Sequence, residues 1–374
     1  MILTVFAQLM LVPGSPTSVG MSGPRLEAAA SILESEVKDR SLGAASILVA
    51  RQGKIILQRS FGRLSSKEGS ATVAPDSVFL LASITKPVTA CALMLLVERG
   101  KVSLSDPVSR YLPEFTGDDR ARIRVRDLLA HTSGLPDMLP ENTELRRANV
   151  PLKEFVLRAY KTPLLYPPGT SFRYQSMGTL LAGEIVERVS GMRLRDFEKK
   201  EIFEPLGMNH SSLGLGSHEI PGTVEAWTSP NADQKDTARF GSNSAYWRDM
   251  GHPWGGMHST TRDLAVLLQM FLNGGVYDGK RIFSRATVKA MTTDQNSHLQ
   301  APWGLGWALG RSIVWNFFGD LSSVSTFGHA GATGTVAWAD PETQLICVIL
   351  TDRLLEEGRL LRLISNAVVA SIEN

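Results

Sequence analysis

The sequence predicts an α+β fold, an α/β sandwich in which helices flank an antiparallel sheet and a mostly helical lobe is inserted into it. Two patterns predict this arrangement. Strand-like apolar runs occur near both ends of the chain, at 45–59 and 304–351, whereas helical patterns fill the region between them. Because the terminal runs must pair across that region, we expect the functional site to lie between the sheet and the helical lobe.

This pattern divides the 374 residues into three parts. Residues 1–23, which become rich in Gly, Ser and Pro after an apolar start, are expected to form a flexible leader. Residues 24–85 and 275–374 are expected to form the sheet domain. Residues 86–274 are expected to form the mostly helical domain.

The individual elements follow from local patterns, beginning with an amphipathic helix at 24–40. Apolar runs at 45–50 and 54–59 flank Arg51-Gln52-Gly53 and predict a β-hairpin. A helix that begins near Ser83 is expected to end at Gly100, because glycine most easily adopts the left-handed conformation of a helix end. The later patterns predict helices at 125–130, 152–160, 177–190, 194–203 and 261–272, strands at 304–309, 334–339 and 344–351, and a closing helix at 358–373.

The composition excludes several classes of partner. Apolar residues make up 43% of the chain and charged residues 20%, which is typical of a globular protein rather than a disordered one. The net charge of +2 arises from 39 basic and 37 acidic residues without a basic block, so we expect neither nucleic acid nor an anionic membrane as partner. No apolar run approaches the roughly 18 residues that a membrane span requires. We therefore expect a small-molecule substrate, and the sequence leaves the oligomeric state open.

The beginning of the chain and the two cysteines bear on the compartment. Residues 1–12 are apolar, but Thr4 and Gln8 interrupt them and no basic residues precede them as in a signal peptide. A cytoplasmic location is therefore favoured, and a periplasmic or secreted one is the alternative if residues 1–12 act as a signal segment. Cys91 and Cys347 lie in apolar runs, where buried reduced thiols are usual, so we expect no disulfide.

The first motif with chemical meaning is Ser83-Ile84-Thr85-Lys86, at the boundary between an apolar run and a helical pattern. Residues three apart on a helix share a face, so the Lys86 amine can reach the Ser83 hydroxyl and act as its base. Lys86 can do so only if burial lowers its pKa, since an ordinary lysine is almost entirely protonated at neutral pH. Taken alone, the pattern favours a helix cap beside a surface lysine, and the catalytic interpretation depends on the other motifs. A second copy, Ser35-Glu36-Val37-Lys38, lies among charged residues and is interpreted as a solvated helix face.

The second motif is Tyr174-Gln175-Ser176, which lies in a loop before a predicted helix. Tyr174 could act as a second proton carrier beside Lys86. Next to a lysinium, the phenolate form of the tyrosine is expected to be favoured, and the two groups are expected to titrate as a coupled pair. The alternative is a packed loop aromatic.

The third motif is the segment 327–332, with His329, Gly331 and Ala332, which leads into a predicted strand. Small residues there let a backbone approach a substrate, and an amide near Ala332 could form an oxyanion hole with the amide of Ser83. His329 could face the substrate or could merely satisfy a hydrogen bond at the strand end. The sequence contains no Gly-x-Ser-x-Gly elbow, no His-Glu-x-x-His and no phosphate-binding glycine loop, and it predicts neither a metal site nor a cofactor.

An aromatic-rich stretch precedes this third motif. Most of its members are expected in the core, and a subset could line an acyl pocket for an apolar ester. Replacement of Trp315 or Phe317 by Ala would then shift the acyl-chain preference. The members are Trp303, Trp307, Trp315, Phe317, Phe318 and Phe327.

In their order and spacing the three motifs resemble those of the serine β-lactamase and penicillin-binding-protein superfamily, nearest to class C β-lactamases, D-alanyl-D-alanine carboxypeptidases and family VIII carboxylesterases. The resemblance spans residues 24–374, and the segments 131–136 and 254–256 look similar too; the second resembles a tryptophan motif of family VIII esterases. It implies a β-lactamase/transpeptidase-like fold and an acyl-enzyme on Ser83, with Lys86 and Tyr174 moving protons. His131 and Trp254 are themselves interpreted as structural.

Two departures from the family pattern favour esters over amides. The lysine of the family's Lys-Thr-Gly is His329 here, so the permanent cation that binds a substrate carboxylate is absent or pH-dependent. The asparagine of Tyr-x-Asn is Ser176, which has no amide donor. We therefore expect a carboxylesterase acting on short-chain or aryl esters, with weak β-lactam hydrolysis as an additional activity. The alternatives are a β-lactamase or D-alanyl-D-alanine carboxypeptidase or D-amino-acid peptidase, and a non-catalytic binding protein of the same fold.

Overall fold

The computed structural model describes residues 9–373. Strands pair near both ends of the described chain, and helices dominate the middle, as the α+β prediction requires. The strands are β1 (Val12–Pro13), β2 (Ala44–Arg51), β3 (Lys54–Gly62), β4 (Phe79–Leu80), β5 (Ser212–Leu213), β6 (Met257–Ser259), β7 (Val276–Tyr277), β8 (Lys280–Arg281), β9 (Ala308–Leu309), β10 (Phe327–Gly331), β11 (Thr335–Asp340) and β12 (Leu345–Thr351).

The helices include most of those that the periodicity predicts, and several short ones besides. They are α1 (Gly23–Lys38), α2 (Thr85–Glu98), α3 (Val125–Leu129), α4 (Asn142–Arg147), α5 (Leu152–Ala159), α6 (Ser176–Ser190), α7 (Leu194–Glu198), α8 (Glu204–Leu206), α9 (Gln234–Phe240), α10 (Ala245–Asp249), α11 (Thr261–Leu272), α12 (Arg285–Met291) and α13 (Arg359–Val369). A π-helical turn, Lys199–Phe203, joins α7 to α8. Within residues 9–373, none of the helices combines the length and the apolar character that crossing a bilayer requires.

The main sheet has seven strands in the order β1-β3-β2-β12-β11-β10-β9. The predicted hairpin β2–β3 forms an antiparallel pair near one edge, and the central strand β12, from the end of the chain, pairs antiparallel with β2. Strand β1 adds a short parallel pair at the edge beside β3. The two ends of the chain thus form one sheet, which confirms the predicted fold class.

The two faces of the sheet bury two separate cores. On β2, Ile47 and Val49 face helices α1 and α13, whereas Leu48 and Ala50 face the core that contains α2, α6 and α11. Side chains alternate along a strand, so a strand that is buried on both faces is mostly apolar, as β2 is apart from Ser46 and Arg51. Cys91 and Cys347 lie as free thiols in the two different cores.

Two details differ from the sequence prediction. The predicted leader packs against the sheet where it is described: Val12 pairs with Lys54 of β3, and Met21 is fully buried. Residues 1–8 of that leader, and most of the segment considered as a signal, lie outside the described residues. The predicted strand 304–309 shrinks to Ala308–Leu309, because Gly306 has φ 86°, a left-handed conformation that no strand accommodates. The proposed division into a sheet domain and a helical domain remains a prediction.

Candidate active site

Ser83 lies in a sharp turn between a strand and a helix. Strand β4 pairs with β6, and the chain then turns through a 3₁₀ segment, Ala82–Ile84, into α2. Ala82 has φ 50°, an uncommon left-handed conformation for a residue other than glycine. The Thr85 hydroxyl stabilises the turn by donating to the Ala82 carbonyl at 2.7 Å and accepting from the Met257 amide at 3.0 Å. Ser83 is half-buried and lines a cavity of about 380 Å³.

The structure brings Lys86 onto Ser83, as the helical spacing predicts. Lys86 Nζ lies 3.0 Å from Ser83 Oγ, and it donates a second hydrogen bond to the carbonyl of Trp254 at 3.0 Å. The Lys86 side chain is 2% exposed. The amine is therefore held against the serine hydroxyl by a backbone carbonyl rather than by a carboxylate.

Burial changes the ionisation of Lys86. Desolvation lowers the pKa of Lys86 to about 7, although the nearby Asp137 carboxylate acts in the opposite direction. The three histidines around the amine add no positive charge of their own, since burial lowers the pKa of His131, His252 and His329 below the usual histidine range. A substantial fraction of Lys86 is thus neutral at pH 7 and able to accept a proton.

Tyr174 packs against the same amine, but its ionisation differs from the prediction. Lys86 Nζ lies 4.7 Å from the centroid of the Tyr174 ring. Burial raises the pKa of the Tyr174 phenol well above its usual range, and the neighbouring Ser83 hydroxyl offsets only part of that rise. The predicted phenolate is therefore wrong, because desolvation of the Tyr174 hydroxyl disfavours its charged form. Tyr174 is a protonated phenol and hence a proton donor.

Ser176 forms a pair with a carboxylate that the sequence analysis did not single out. Ser176 lies at the start of α6, and its hydroxyl donates to Asp137 Oδ1 at 2.6 Å while its amide donates to the Asp137 carbonyl at 3.2 Å. Both residues line the cavity beside Ser83. Since the Ser176 hydroxyl is taken up by Asp137, the pair presents an acceptor rather than an amide donor to a bound molecule.

His329 lies behind the cavity rather than on its wall. Its side chain is fully buried on β10, with Nδ1 2.6 Å from the Ala330 carbonyl, and it is not among the residues that line the cavity. The His329 ring packs near Tyr174, with 5.9 Å between centroids, and near Trp303 at 5.6 Å. Burial lowers the pKa of His329 to about 3, so the ring is neutral over the physiological range. The structure thus places His329 behind Tyr174, where it supplies no cation to the cavity.

Gly331 and Ala332 lie at the turn of the β10–β11 hairpin, next to the strand that leads to Ser83. A Cβ atom on Gly331 would lie 2.2 Å from the Leu81 carbonyl oxygen, so only glycine allows this approach. Two threonine hydroxyls fasten the hairpin to the same segment: Thr333 donates to the Leu80 carbonyl and Thr335 to the Leu81 carbonyl, each at 2.8 Å.

The fastened hairpin places Ala332 on the wall of the cavity that contains Ser83. Within residues 9–373, the Ala332 N–H has no hydrogen-bond acceptor. This free donor and the amide of Ser83 are the two groups that the oxyanion-hole prediction requires.

Two buried rings behind the site, those of His131 and Trp303, pack against Tyr174. His131 is buried, its Nδ1 accepts from the Gln175 amide at 3.3 Å, and its ring lies 4.7 Å from Tyr174 and 4.8 Å from Trp303.

Of the six aromatic residues considered for an acyl pocket, Trp315 lines the cavity, whereas Trp303 and Trp307 are fully buried in the core. Among the described residues, no group of three or more His, Cys, Asp or Glu side chains could hold a metal ion.

Sequence reasoning missed two contributors to the site. The Trp254 carbonyl holds Lys86, but a backbone group leaves no signal in the residue types, and Trp254 was interpreted only by its side chain. Asp137 could have been noticed as the polar residue that follows Gly134-Leu135-Pro136, although nothing in that pattern connects it to Ser176.

Comparison with known proteins gives consistent results. The family model described as Beta-lactamase matches residues 29–370. A Salmonella agona (strain SL483) protein, provisionally named D-alanyl-D-alanine carboxypeptidase, is 30% identical over 375 residues, which cover 92% of this chain and 86% of that protein.

Two solved structures are similar over nearly the whole chain. A penicillin-binding protein homologue from Caulobacter crescentus superimposes with a TM-score of 0.76 at 24% identity, covering 93% of this chain and 97% of that one. A family VIII carboxylesterase superimposes with a TM-score of 0.73 at 21% identity, covering 93% of this chain and 98% of that one. At these identities the likeness shows the fold.

Proposed function

The chain belongs to the Beta-lactamase family of serine hydrolases, and from this premise we propose that it is a carboxylesterase that forms an acyl-enzyme on Ser83. The observation that carries the proposal is the 3.0 Å contact between Ser83 Oγ and a buried lysine whose pKa is lowered to about 7. A neutral amine within hydrogen-bond reach of a serine hydroxyl can activate it as a nucleophile.

In the proposed acylation step, Ser83 Oγ attacks the ester carbonyl and its proton passes to Lys86. The negative charge that develops on the carbonyl oxygen is stabilised by the amides of Ser83 and Ala332. When the C–O bond to the leaving group breaks, the Tyr174 phenol gives its proton to the departing alkoxide. Lys86 then returns its extra proton to Tyr174, so both groups regain their starting states and the acyl group remains on Ser83.

In the proposed deacylation step, a water molecule takes the place of the departed alcohol. The neutral Lys86 accepts a proton from this water while the oxygen attacks the acyl carbonyl. The tetrahedral intermediate collapses by breaking the bond to Ser83 Oγ, which takes the proton back from Lys86. The carboxylic acid is released and the site is restored.

The preference for esters over amides rests on what the site lacks. An alkoxide is a better leaving group than an amide nitrogen, so an ester needs less assistance from groups that bind and orient a peptide. The Ser176 hydroxyl is held by Asp137, and neutral, buried His329 offers no cation to a substrate carboxylate beside β10. Both features support short-chain or aryl esters as substrates.

The test is the initial rate of p-nitrophenyl butyrate hydrolysis by the intact protein, by Ser83→Ala and by Ser35→Ala. The proposal predicts turnover that Ser83→Ala abolishes and Ser35→Ala leaves intact. Equal rates in all three proteins would exclude Ser83 as the nucleophile for esters. Absence of turnover in the intact protein would contradict the esterase proposal.

The second candidate is a β-lactamase or a D-amino-acid peptidase. It is favoured by two arginines, Arg146 and Arg353, that line the same cavity and could bind a substrate carboxylate. Hydrolysis of nitrocefin and release of D-alanine from D-alanyl-D-alanine peptides, each compared with p-nitrophenyl butyrate hydrolysis, distinguish the two candidates. The larger kcat/KM identifies the main activity.

A further inference from the structure

Two arginines on the cavity wall are held by aromatic rings. Arg146, in α4, places its guanidinium carbon 3.6 Å from the centroid of the Trp247 ring. Arg353, which follows β12, places its guanidinium carbon 4.8 Å from the centroid of the Trp227 ring. All four side chains line the cavity that contains Ser83.

These guanidinium groups have unused hydrogen-bonding capacity. Among the described residues, neither Arg146 nor Arg353 forms an ion pair, whereas arginines elsewhere, such as Arg188 and Arg193, contact carboxylates within 3.0 Å. The Nε atoms of Arg146 and Arg353 are buried and have no acceptor within residues 9–373. Arg146 donates one bond to the Phe240 carbonyl at 2.7 Å. A guanidinium on an aromatic ring keeps its charge while its N–H groups remain free for another acceptor.

The acidic residues of the cavity wall are occupied by other groups. Asp137 accepts from the Ser176 hydroxyl, and Asp352 accepts from the amides of Gly43 and Ala44 at 3.1 to 3.4 Å. Neither carboxylate lies within ion-pair distance of Arg146 or Arg353 in the described part of the chain. The two cations therefore form no ion pair with the carboxylates that share their cavity, although burial raises the pKa of Asp352 and the charge of Arg353 offsets part of that rise.

Arg353 is also fixed relative to the predicted oxyanion hole. The Thr351 hydroxyl contacts the Gly334 carbonyl at 2.7 Å and the Arg353 carbonyl at 2.9 Å. Gly334 belongs to the same hairpin turn as Ala332. The backbone of Arg353 is thus coupled through the Thr351 side chain to the hairpin that carries Ala332.

We propose that Arg353 and Arg146 form an anion subsite that selects esters bearing a carboxylate remote from the scissile bond. This inference rests on the proposed esterase function and narrows its substrate class. Guanidinium groups bind carboxylates through paired N–H donors, and these two lie in one cavity with the proposed nucleophile. Because His329 is neutral, the positive charge that binds the substrate carboxylate would then come from Arg146 in α4 and Arg353 after β12.

The test compares an anionic ester, 4-nitrophenyl hydrogen adipate, with 4-nitrophenyl hexanoate, a neutral ester of the same acyl-chain length. The ratio of their kcat/KM values is measured for the intact protein, Arg353→Gln, Arg146→Gln and Arg362→Gln. Arg362 is the matched control, because it also lies over an aromatic ring, Phe317, with 5.4 Å from its guanidinium carbon to the ring centroid, but does not line the cavity. Since each variant serves as its own reference, a general change in folding or turnover cancels from the ratio.

We expect Arg353→Gln and Arg146→Gln each to lower the ratio of anionic to neutral ester by about tenfold, and Arg362→Gln to leave it unchanged. Added salt should lower the ratio for the intact protein. An unchanged ratio in both cavity variants, with Ser83-dependent hydrolysis of the hexanoate retained, would overturn the subsite and leave the esterase standing.

A binding measurement covers the case in which neither ester is turned over. Calorimetric titration of Ser83→Ala with 4-nitrophenyl hydrogen adipate and with the hexanoate measures recognition without chemistry. Tighter binding of the adipate that Arg353→Gln removes from this background supports the subsite even if the esterase proposal fails. Equal binding of the two esters contradicts the subsite.

Discussion

The chain contains the pattern Ser-x-x-Lys twice, and the two copies lie in opposite environments. Ser35 and Lys38 occupy the last turn of α1, where Ser35 is exposed and Lys38 pairs with Glu34 at 3.0 Å, with 71% of the Lys38 side chain exposed. Ser83 and Lys86 lie at the start of α2, where Lys86 is 2% exposed and bonded to a backbone carbonyl.

The comparison shows that helical spacing brings a lysine near a serine but does not determine whether the lysine is neutral enough to act as a base. Both copies have the same separation along a helix, yet Lys38 is surrounded by water and by a carboxylate that favours its protonated form. Lys86 has lost its water, and the group that replaces it is a neutral carbonyl. Desolvation is therefore what distinguishes a proton acceptor from a surface cation in this protein.

The largest expected difference is in activity, between a variant that lacks Lys86 and a separate variant that lacks Lys38. Lys86→Met should lower kcat/KM for p-nitrophenyl butyrate by about 10³ to 10⁴, because the proposed base is lost. Lys38→Met should change it by less than twofold. Comparable losses in both variants, measured on folded protein, would remove the distinction between the two copies.

The same pair of variants should differ in stability. In the unfolded chain the pKa of Lys86 has its ordinary value of 10.5, whereas in the folded protein it is about 7. Burial of the charged amine therefore lowers the free energy of unfolding by its full amount below pH 7. This cost becomes smaller as the pH rises from 7 toward 10.5. Lys86→Met should therefore stabilise the protein at pH 6 by about 2 to 4 kcal/mol, and by roughly half as much at pH 9.

Denaturant unfolding at the two pH values measures this difference. Lys38→Met provides the control and should alter the free energy of unfolding by less than about 0.5 kcal/mol at either pH. A Lys86→Met protein that is less stable than the wild type at pH 6 would mean that the buried amine is stabilising, contrary to the pKa argument.

A smaller effect on activity is expected for the proposed proton donor. Tyr174→Phe keeps the ring against Lys86 but removes the phenol, and should lower kcat by about 10² for esters of aliphatic alcohols. Esters of p-nitrophenol should be less affected, because that leaving group departs without a proton. Tyr160→Phe, at a tyrosine outside the cavity, should retain full activity. An equal loss with both leaving groups would contradict the role of Tyr174 as a donor.

The smallest expected effect concerns the pH dependence. Lys86 must be neutral to act as a base, so kcat/KM should rise with pH through about 7. Asp137 raises the pKa of Lys86, so Asp137→Asn should move this rise to lower pH by roughly half a unit to one unit. Ser176→Ala removes the hydrogen bond to Asp137 without removing its charge, and should leave the midpoint in place. A shift in the opposite direction would show that Asp137 acts by another route.

The elements that the sequence predicts best are those with strong local signals. Helix α11 begins and ends where the periodicity places it, and its start is marked by Thr260, whose side chain accepts from the Asp263 amide at 3.2 Å. The β2–β3 hairpin is equally clear from its two apolar runs. The predicted strand at 304–309 fails because apolar composition does not reveal the left-handed conformation at Gly306.

For the site, residue types predict which side chains meet but not how the surroundings change them. The contact of Ser83 with Lys86 follows from helical spacing, whereas the Trp254 carbonyl and the Asp137 carboxylate reach the site through tertiary folding. The ionisation of Tyr174 was predicted wrongly because the sequence shows the neighbouring charge but not the loss of water. His329 was placed in the right motif, but its burial behind Tyr174 could not be seen before the sheet was assembled.

The most direct test of the difference between the two serines is the site of covalent labelling. The intact protein is treated with a fluorophosphonate at pH 8 and digested, and the modified peptide is identified by mass spectrometry, with Lys86→Met as the comparison. We expect one label, on Ser83, that forms at least 10²-fold more slowly without Lys86. Labelling of Ser35 instead, or no labelling of folded protein, would contradict the claim that the buried lysine makes Ser83 a nucleophile.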